Sequence, residues 1–220
     1  MTSAPPFESP DDAGLSRAER KERTRQSILD AALRLATEET LAAVSLRQVT
    51  REVGIVPTAF YRHFASLEEL GLALVDESFA SLRAMIRAAR EGDPAIEDIV
   101  RNSVEVLVEH VHAHRTHFHF IARERFGGVA AVREAIGHEL QLFERELAAD
   151  VARLPTMDTW SNEDLRILAN LIVNAMVATA EQLLDAPPGR REIEAQIVRT
   201  ARRQLLMIII GAAHWSQRHG

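Results

Sequence analysis

Residues 51–64 read REVGIVPTAFYRHF and hold the only tyrosine of the chain. Residues 45–53 predict a short helix, Gly54 is suited to a tight exit from it, and Pro57 is suited to the first turn of a second helix over residues 57–63. Two short helices joined in this way have the spacing of a helix-turn-helix. Helical hairpins with a glycine turn also occur in proteins of many other functions, so the spacing alone only suggests a DNA-binding motif.

The second helix is predicted to have two different faces. At about 100° per residue, one face comprises Pro57, Thr58, Tyr61 and Arg62. The opposite face comprises Ala59, Phe60 and His63, with Phe64 at its edge. We expect the two phenylalanines to anchor the helix. The outward hydroxyl, phenol and guanidinium can then reach base edges and phosphates in a major groove.

Charge is distributed unevenly along the 220 residues, which carry a formal net charge of −6. Residues 16–66 hold nine Lys/Arg and six Asp/Glu (+3), residues 67–220 hold 17 and 23 (−6), and residues 1–15 hold three acids (−3). The basic excess coincides with the predicted helix-turn-helix, as phosphate binding requires. The chain has no cysteine, which excludes disulfides, thiolate metal sites and thiol nucleophiles and fits a cytosolic protein.

Long segments with apolar residues three and four apart predict an all-α protein with a sizeable core, since 46% of the residues are hydrophobic. Capping patterns begin at Ser16, Ser45, Ser66 and Ser161. Nine helices are predicted over residues 17–38, 46–53, 57–63, 67–91, 95–112, 116–125, 129–154, 162–185 and 190–218. Residues 110–120, HVHAHRTHFHF, alternate like a strand, but a lone strand lacks a pairing partner, so we predict a turn at 113–115 between two helices.

No membrane span and no targeting peptide are expected. The longest apolar run, LLMIIIGAA at residues 205–213, is shorter than the roughly 18 residues that a span needs. Residues 1–15 have neither a basic start nor an apolar stretch. They are predicted to form a disordered tail.

Between residues 23 and 70, TRQSILDAALRLATEE is followed by SLRQVTREVGIVPTAFYRHFASLEEL. This stretch resembles the N-terminal domain of the TetR family of bacterial transcription repressors. The resemblance implies a nine-helix TetR-like architecture with a helix-turn-helix DNA-binding domain over residues 16–66 and an effector-binding and dimerisation domain over residues 67–220. It also implies a double-stranded DNA operator as partner, no cofactor and no enzymatic activity.

The resemblance further implies roles for individual residues. Arg47 matches a base-reading position, Tyr61 and His63 match phosphate-holding positions, and Arg62 sits where a further groove contact is often made. The predicted DNA-binding set is Arg23, Arg47, Gln48, Pro57, Thr58, Ala59, Tyr61, Arg62 and His63. The chain departs from the family pattern at the usual polar cap, where it has Val56, and at a phosphate-binding lysine, where it has Leu67. Phosphate binding is therefore expected to depend more on the basic residues of the first helix, Arg17, Arg20, Lys21, Arg23 and Arg25. The alternative role for His63 is that of a packed imidazole in the core.

Within the family, the chain resembles the FabR and DesT branch, which controls unsaturated fatty acid synthesis. The similarity lies in REVGIVPTAFYRHF, LEELGLALVDES at residues 67–78 and RERFGG at residues 123–128. It implies a small hydrophobic effector, specifically a fatty acyl chain as its coenzyme A thioester. Arg123 and Arg125 are candidate phosphate partners, or else solvated arginines at a helix end.

The last helix contains six consecutive apolar residues, LLMIII at residues 205–210, which no single helical stripe can hold. One side can pack on its own subunit and the other on a partner, with a second layer from Leu165, Leu168, Ile172 and Met176. This predicts a homodimer through a four-helix bundle. The alternative is a monomer whose last helix is central.

Apolar side chains of the central helices are the candidates for lining an effector cavity. Asn174 joins them because it and Asn170 interrupt an apolar helix, and buried amides need partners; Asn174 could also bond across the dimer. The predicted set is Val104, Leu107, Val108, Phe118, Ile121, Phe143, Leu147, Ile172, Asn174 and Met176.

Three alternatives to a lipid-responsive repressor remain open: a drug-responsive repressor of the same family, a metal-responsive one, and an enzyme. Five histidines lie within residues 110–119, and His110 and His114 have a helical metal-ligand spacing, so a metal-responsive repressor is conceivable. The absence of cysteines and of a dense set of nearby acids favours solvated histidines and no metal. A helical-bundle enzyme is the remote alternative, because HELQL at residues 138–142 lacks a second histidine and no Gly-x-Ser-x-Gly occurs.

Overall fold

The computed structural model describes residues 16–89, 96–153, 157 and 160–219. In this part of the chain all regular structure is helical, which confirms the predicted all-α fold. The helices are α1 (Arg17–Glu38), α2 (Leu46–Val53), α3 (Pro57–Phe60), α4 (Leu67–Ala89), α5 (Ile96–Ala113), α6 (Arg115–Glu124), α7 (Ala130–Val151), α8 (Asn162–Asp185) and α9 (Arg191–His219). The predicted tail and the predicted helix ends at residues 90–91, 95 and 154 lie outside the described residues.

Side-chain caps fix several helix starts where the sequence predicts them. Ser16 and Ser45 each form a reciprocal capping box, with Glu19 and Gln48 respectively. The Ser161 hydroxyl accepts a hydrogen bond from the Asp164 amide at the start of α8. These contacts satisfy amides that a first helical turn leaves without partners, so the local sequence determines where these helices begin.

The alternating stretch at residues 110–120 is helical on both sides of a single non-helical residue. α5 ends at Ala113, His114 has φ −125° and ψ 37°, and α6 begins at Arg115. The predicted helix–turn–helix is confirmed here, with a shorter turn than expected. Histidine alternation therefore does not mark a strand in this chain.

The largest core cluster joins the first three helices to α4, α6 and α7. Its members include Ile28, Leu29, Phe60, Phe64, Leu70, Leu74, Phe79, Phe120, Ile121, Val132, Ile136 and Phe143, all at most 9% exposed. The predicted domain boundary at residues 66 and 67 therefore crosses a continuous core. α4 begins at Leu67, on the C-terminal side of that boundary, and its first turns pack among the helices of the N-terminal segment (residues 16–66).

α8 packs against both α7 and α9. By length and composition alone it is the one helix of the described residues that is apolar enough to cross a membrane. Its apolar residues do not form one uninterrupted run, because Asn170 and Asn174 lie among them. Core helices of soluble proteins meet the same criterion, so this property by itself does not decide the environment of α8.

The outer faces of α8 and α9 carry several large exposed apolar side chains among polar ones. Ile167 and Leu171 on α8 are 53% and 50% exposed, and Met207 and Ile210 on α9 are 71% and 58% exposed. On the same helix as Met207, Leu205 is only 4% exposed. The LLMIII segment thus has one buried and one exposed apolar side, as predicted.

Candidate nucleic-acid interface

The turn between α2 and α3 depends on a glycine. Gly54 has φ 75° and ψ 27°, a left-handed conformation that side chains disfavour by about 1–2 kcal/mol. Its amide donates to the Thr50 and Arg51 carbonyls, and the Ile55 amide donates to Thr50 at 2.9 Å. α3 then begins at Pro57, after Val56, which makes no side-chain cap hydrogen bond, in keeping with the missing polar cap in the sequence.

Helix α3 is shorter than the predicted helix over residues 57–63. After Phe60 the chain tightens, because the Arg62 amide donates to Ala59 at 3.2 Å and the His63 amide donates to Phe60 at 2.8 Å. These bonds span three residues, so residues 61–63 form a turn that continues the helix in a narrower form.

The two faces of this segment are arranged as predicted. Phe60 and Phe64 are 0% and 2% exposed, whereas Tyr61 is 58% exposed. Pro57, Thr58 and Arg62 are also exposed, and Ala59 and His63 are half-buried. A hydroxyl, a phenol and a guanidinium therefore project from a helix whose other side is fixed in the core.

Aromatic contacts brace the exposed face. The ring centroids of Phe60 and Phe64 are 5.8 Å apart, and Tyr61 meets the Phe60 ring at 90° with a centroid distance of 5.6 Å. The Arg25 guanidinium lies 4.9 Å from the Phe64 centroid, a cation–π distance. Arg25 therefore supports the motif from α1, a packing role that charge counting along the sequence does not reveal.

His63 lies between the core and the basic end of α1. Burial is the main cause that lowers its pKa below the ordinary value, and the positive charges of Lys21 and Arg25 lower it further, against Glu22. Its Nδ1 atom is buried without a hydrogen-bond partner among the described residues. The neutral imidazole is thus favoured in the free protein, and an anion beside it would favour the charged form.

The remaining predicted DNA contacts differ in their exposure. Arg47 on α2 and Arg23 on α1 are exposed. Gln48 is half-buried and engaged, since its Oε1 accepts from the Ser45 amide at 2.7 Å and its Nε2 donates to Glu39 at 2.7 Å. Gln48 therefore has a structural task at the start of α2, and a DNA contact would have to replace these bonds.

The ten predicted effector-lining residues do not share one place. Four of them pack together between α5, α8 and α9, namely Val104, Val108, Ile172 and Met176. An adjoining cluster shares two of these and adds Leu107 and Phe118. Ile121 and Phe143 instead join the large cluster with α1 and α4, and Leu147 packs against the start of α8. The sequence reveals apolar faces of α6 and α7 but not which neighbour each face contacts.

The prediction that Asn170 and Asn174 are buried amides is wrong. Both are exposed on α8, where Asn170 donates to Glu144 Oε1 at 2.8 Å and Asn174 donates to the Asn170 carbonyl at 2.9 Å. They lie on the same side of α8 as the exposed Ile167 and Leu171. Asn174 is therefore better suited to a contact with a second chain than to an interior cavity.

The two candidate phosphate partners at the end of α6 are engaged within the chain. Arg123 donates to the Ala36 carbonyl at 3.4 Å. Arg125 pairs with Glu181 at 3.0 Å and lies 4.7 Å from the Phe126 ring centroid. Neither arginine is a freely solvated side chain.

The histidine cluster has no metal-binding arrangement within the described part of the chain. The rings of His110 and His114 lie 5.7 Å apart, and His110 Nδ1 contacts the Val106 carbonyl at 3.2 Å. Across the described ranges, no group of three or more His, Cys, Asp or Glu side chains could hold a metal ion. The metal-responsive alternative gains no support from this cluster.

Solved structures share this fold at low sequence identity. A TetR-like transcriptional regulator from Rhodococcus sp. RHA1 matches with a TM-score of 0.66 and 19% identity, over 90% of this chain and 99% of that one. The fatty acid degradation regulator FadR from Bacillus halodurans matches with a TM-score of 0.65 and 13% identity, over 83% and 94%. A TetR-family transcriptional regulator from Streptomyces coelicolor matches with a TM-score of 0.65 and 19% identity, over 85% and 96%. These likenesses show the fold.

Two family models match the sequence itself. Residues 28–74 match the model for bacterial regulatory proteins of the tetR family, which covers the helix-turn-helix and the first turns of α4. Residues 96–207, more than half of the chain, match the model for the tetracycline-repressor-like C-terminal domain. Members of this family are DNA-binding transcription factors and not enzymes. The chain therefore belongs to the TetR family of bacterial transcriptional regulators.

Proposed function

We propose that this regulator represses transcription by binding a palindromic operator as a homodimer. The observation that carries the proposal is the segment from Gly54 to Phe64, in which a buried aromatic base presents Thr58, Tyr61 and Arg62 to solvent. A short exposed helix of this kind fits the major groove. The proposed DNA-binding domain is residues 16–66, and α1 adds exposed basic residues for phosphates.

Different residues are proposed to read bases and to contact the phosphates of the DNA backbone. Arg47 on α2 is proposed to read a base, because a guanidinium can bond two acceptors on one guanine edge. Tyr61, His63 and Arg23 are proposed to contact phosphates, which orient the protein without reading sequence. Pro57, Thr58 and Ala59 are proposed to lie at the entry of α3 into the groove.

The dimer is proposed to form through α8 and α9. Exposed apolar side chains on both helices support this, because patches of this kind mark protein–protein contacts. A surface groove of about 440 Å³ lies on the same side and is lined by Ile167, Asn170 and Leu171 together with the charged Glu144, Glu163 and Arg166. We call residues 54–64 the recognition segment. A two-fold axis through such a bundle would place the recognition segments of the two chains on successive half-sites of one operator.

The effector is proposed to be hydrophobic, of the fatty acyl class, as its coenzyme A thioester. This part rests on the resemblance to the FabR and DesT branch and on the meeting of Val104, Val108, Ile172 and Met176 between three helices. A chain inserted there would separate α5 from α8 and α9. Because α4 contacts α5 and belongs to the core of the helix-turn-helix, a shift of α4 could change the separation of the two recognition segments.

Selection of bound duplexes from a random or genomic library tests the DNA claim. We expect a palindromic sequence bound by two chains, with specific affinity well above that for random competitor at the same salt concentration. The absence of any preferred duplex across a salt series would overturn it. Titrating the selected operator complex with acyl thioesters of different length and unsaturation tests the effector, which must bind the two forms differently to act. An unchanged operator affinity across that series would remove the lipid effector and leave the repressor.

A further inference from the structure

A carboxylate is buried where the C-terminal helices touch the N-terminal segment. Glu124, the last residue of α6, is 0% exposed. Its Oε1 accepts a hydrogen bond of 2.8 Å from the Leu41 amide, in the connection between α1 and α2. The two residues are 83 positions apart in the sequence. Burying a carboxylate is costly unless bonds compensate it. Oε1 has the Leu41 amide as its donor, whereas Oε2 is buried without a hydrogen-bond partner among the described residues, so Glu124 depends on the Leu41 contact for its compensation.

The turn after α6 is shaped around this carboxylate. A Cβ atom added to Gly127 would lie 2.2 Å from Glu124 Oε2 and 2.9 Å from its carboxyl carbon. A Cβ added to Gly128 would lie 3.2 Å from the Ala42 methyl group, in the same α1–α2 connection. Both glycines of the Phe126–Gly127–Gly128 turn therefore allow a close approach, the first to Glu124 and the second to the N-terminal segment.

A second bond reaches the N-terminal segment from the neighbouring residue. Arg123 donates to the carbonyl of Ala36, near the end of α1. The end of α6 thus holds the last turn of α1 through Arg123 and the start of the next connection through Glu124. That connection leads directly into α2, the first helix of the helix-turn-helix.

We propose that Glu124 is a positioning residue for operator recognition, which fixes the angle of the helix-turn-helix on the C-terminal helices. α4 is the covalent link between the two parts, and α6 supplies a second, non-covalent one. With both links in place, the two recognition segments of a dimer have one fixed separation. When the Glu124 bond is lost, each segment moves more freely, and the effective concentration of the second segment at its half-site falls.

This inference rests on the proposed palindromic operator, and its test measures spacing and not overall affinity. The selected operator is altered by adding or removing one base pair between its half-sites, and a duplex with a single half-site serves as reference. For wild type we expect a sharp preference for the native spacing. For Glu124→Ala we expect that preference to shrink by about tenfold, because the Leu41 amide loses its buried acceptor. Affinity for the single half-site should not change.

Matched variants separate positioning from general damage. Glu124→Gln keeps an acceptor for the Leu41 amide and should retain the wild-type spacing preference. Gly127→Ala should mimic Glu124→Ala by displacing the carboxylate, and it should have a smaller effect when Glu124 is already Ala. Glu105→Ala removes a 2.7 Å ion pair with Arg202 between α5 and α9, away from the N-terminal segment, and should leave spacing preference intact.

A wild-type spacing preference in folded Glu124→Ala and Gly127→Ala overturns the inference, as does equal loss in Glu105→Ala. If Glu124→Ala fails to fold, Gly127→Ala alone decides, since it keeps the carboxylate. A wild-type protein that selects no palindrome would instead overturn the proposed operator binding, which is a distinguishable failure.

Discussion

The segment from Ser45 to Phe64 and the helix pair α8–α9 are both partly exposed, but for different reasons. In the first, polar and basic side chains project from a base of buried phenylalanines that lie within a few residues of them. In the second, large apolar side chains are among the exposed ones, with Met207 at 71% and Ile210 at 58%. The apolar side chains that support the first surface are buried within a single chain. The apolar side chains of the second surface are exposed to solvent in a single chain.

The strongest test of the first surface separates its base from its exposed face. We expect Phe60→Ala to lower the free energy of unfolding by about 3–5 kcal/mol, because the ring is fully buried. Tyr61→Ala, one residue away, should lower it by about 1 kcal/mol or less, because its side chain is 58% exposed and loses only an edge contact with the Phe60 ring. Chemical denaturation of both variants measures the difference. Comparable losses would show that the two residues share one structural role.

The second surface is tested by charging it. We expect Met207→Arg to weaken dimerisation by about 2–4 kcal/mol, since the substitution places a charge on each side of a two-fold apolar contact. Sedimentation across a concentration series measures the shift towards monomer. Gln141→Arg, at an exposed polar position on α7 outside the proposed contact, is the control. A Met207→Arg protein that sediments like wild type would move the dimer contact elsewhere.

Base reading and phosphate holding are then separated on the operator. Arg47→Ala should lose about 1–3 kcal/mol of discrimination at one position per half-site. Arg23→Ala should weaken all duplexes alike and lower the salt dependence of binding by about one phosphate contact. Binding to single-substitution operators at several salt concentrations distinguishes them. An equal loss on every sequence for Arg47→Ala would exclude it from base reading.

The smallest expected effect is a pH dependence from His63. The pKa of His63 is lower in the folded protein than its ordinary value of 6.5. Just below pH 6.5 the unfolded chain therefore binds more protons than the folded chain, so the free energy of unfolding should decrease as the pH drops through that region. A phosphate beside His63 favours the charged form, so operator affinity should rise over the same acidic range, by less than about tenfold per pH unit. His63→Gln should remove that rise. If affinity does not rise in the wild type, His63 is a packed imidazole.

The sequence predicts most of the fold because caps and spacing are local. Ser16, Ser45 and Ser161 start helices where their own neighbours dictate, and Gly54 ends α2 in the left-handed conformation that only its residue type favours. The inward and outward faces of α3 follow from helical periodicity. α3 itself ends earlier than predicted, because its last turn takes the tighter three-residue hydrogen bonds.

Contacts between distant segments are what periodicity fails to predict. Ile121 and Phe143 are apolar on central helices, yet they face α1 and α4 and not the cluster of Val104 and Ile172. Asn174 interrupts an apolar helix and still faces outward. The burial of Glu124 is hard to predict from the sequence. The two glycines that follow, Gly127 and Gly128, are the one available signal, and their close contacts can be explained only from the structure, in which the Leu41 amide lies beside Glu124.

The core that joins Phe60 and Phe64 to Leu70, Leu74 and Phe120 also limits how this regulator can be recombined. A chimaera cut at residue 66 would separate the recognition segment from side chains that complete its packing, and would expose apolar surface on both fragments. A transplant that carries α4 along, with a recipient α6 that offers a carboxylate to the α1–α2 connection, would preserve those contacts. We therefore expect DNA specificity to be transferred between regulators only with a unit larger than the helix-turn-helix.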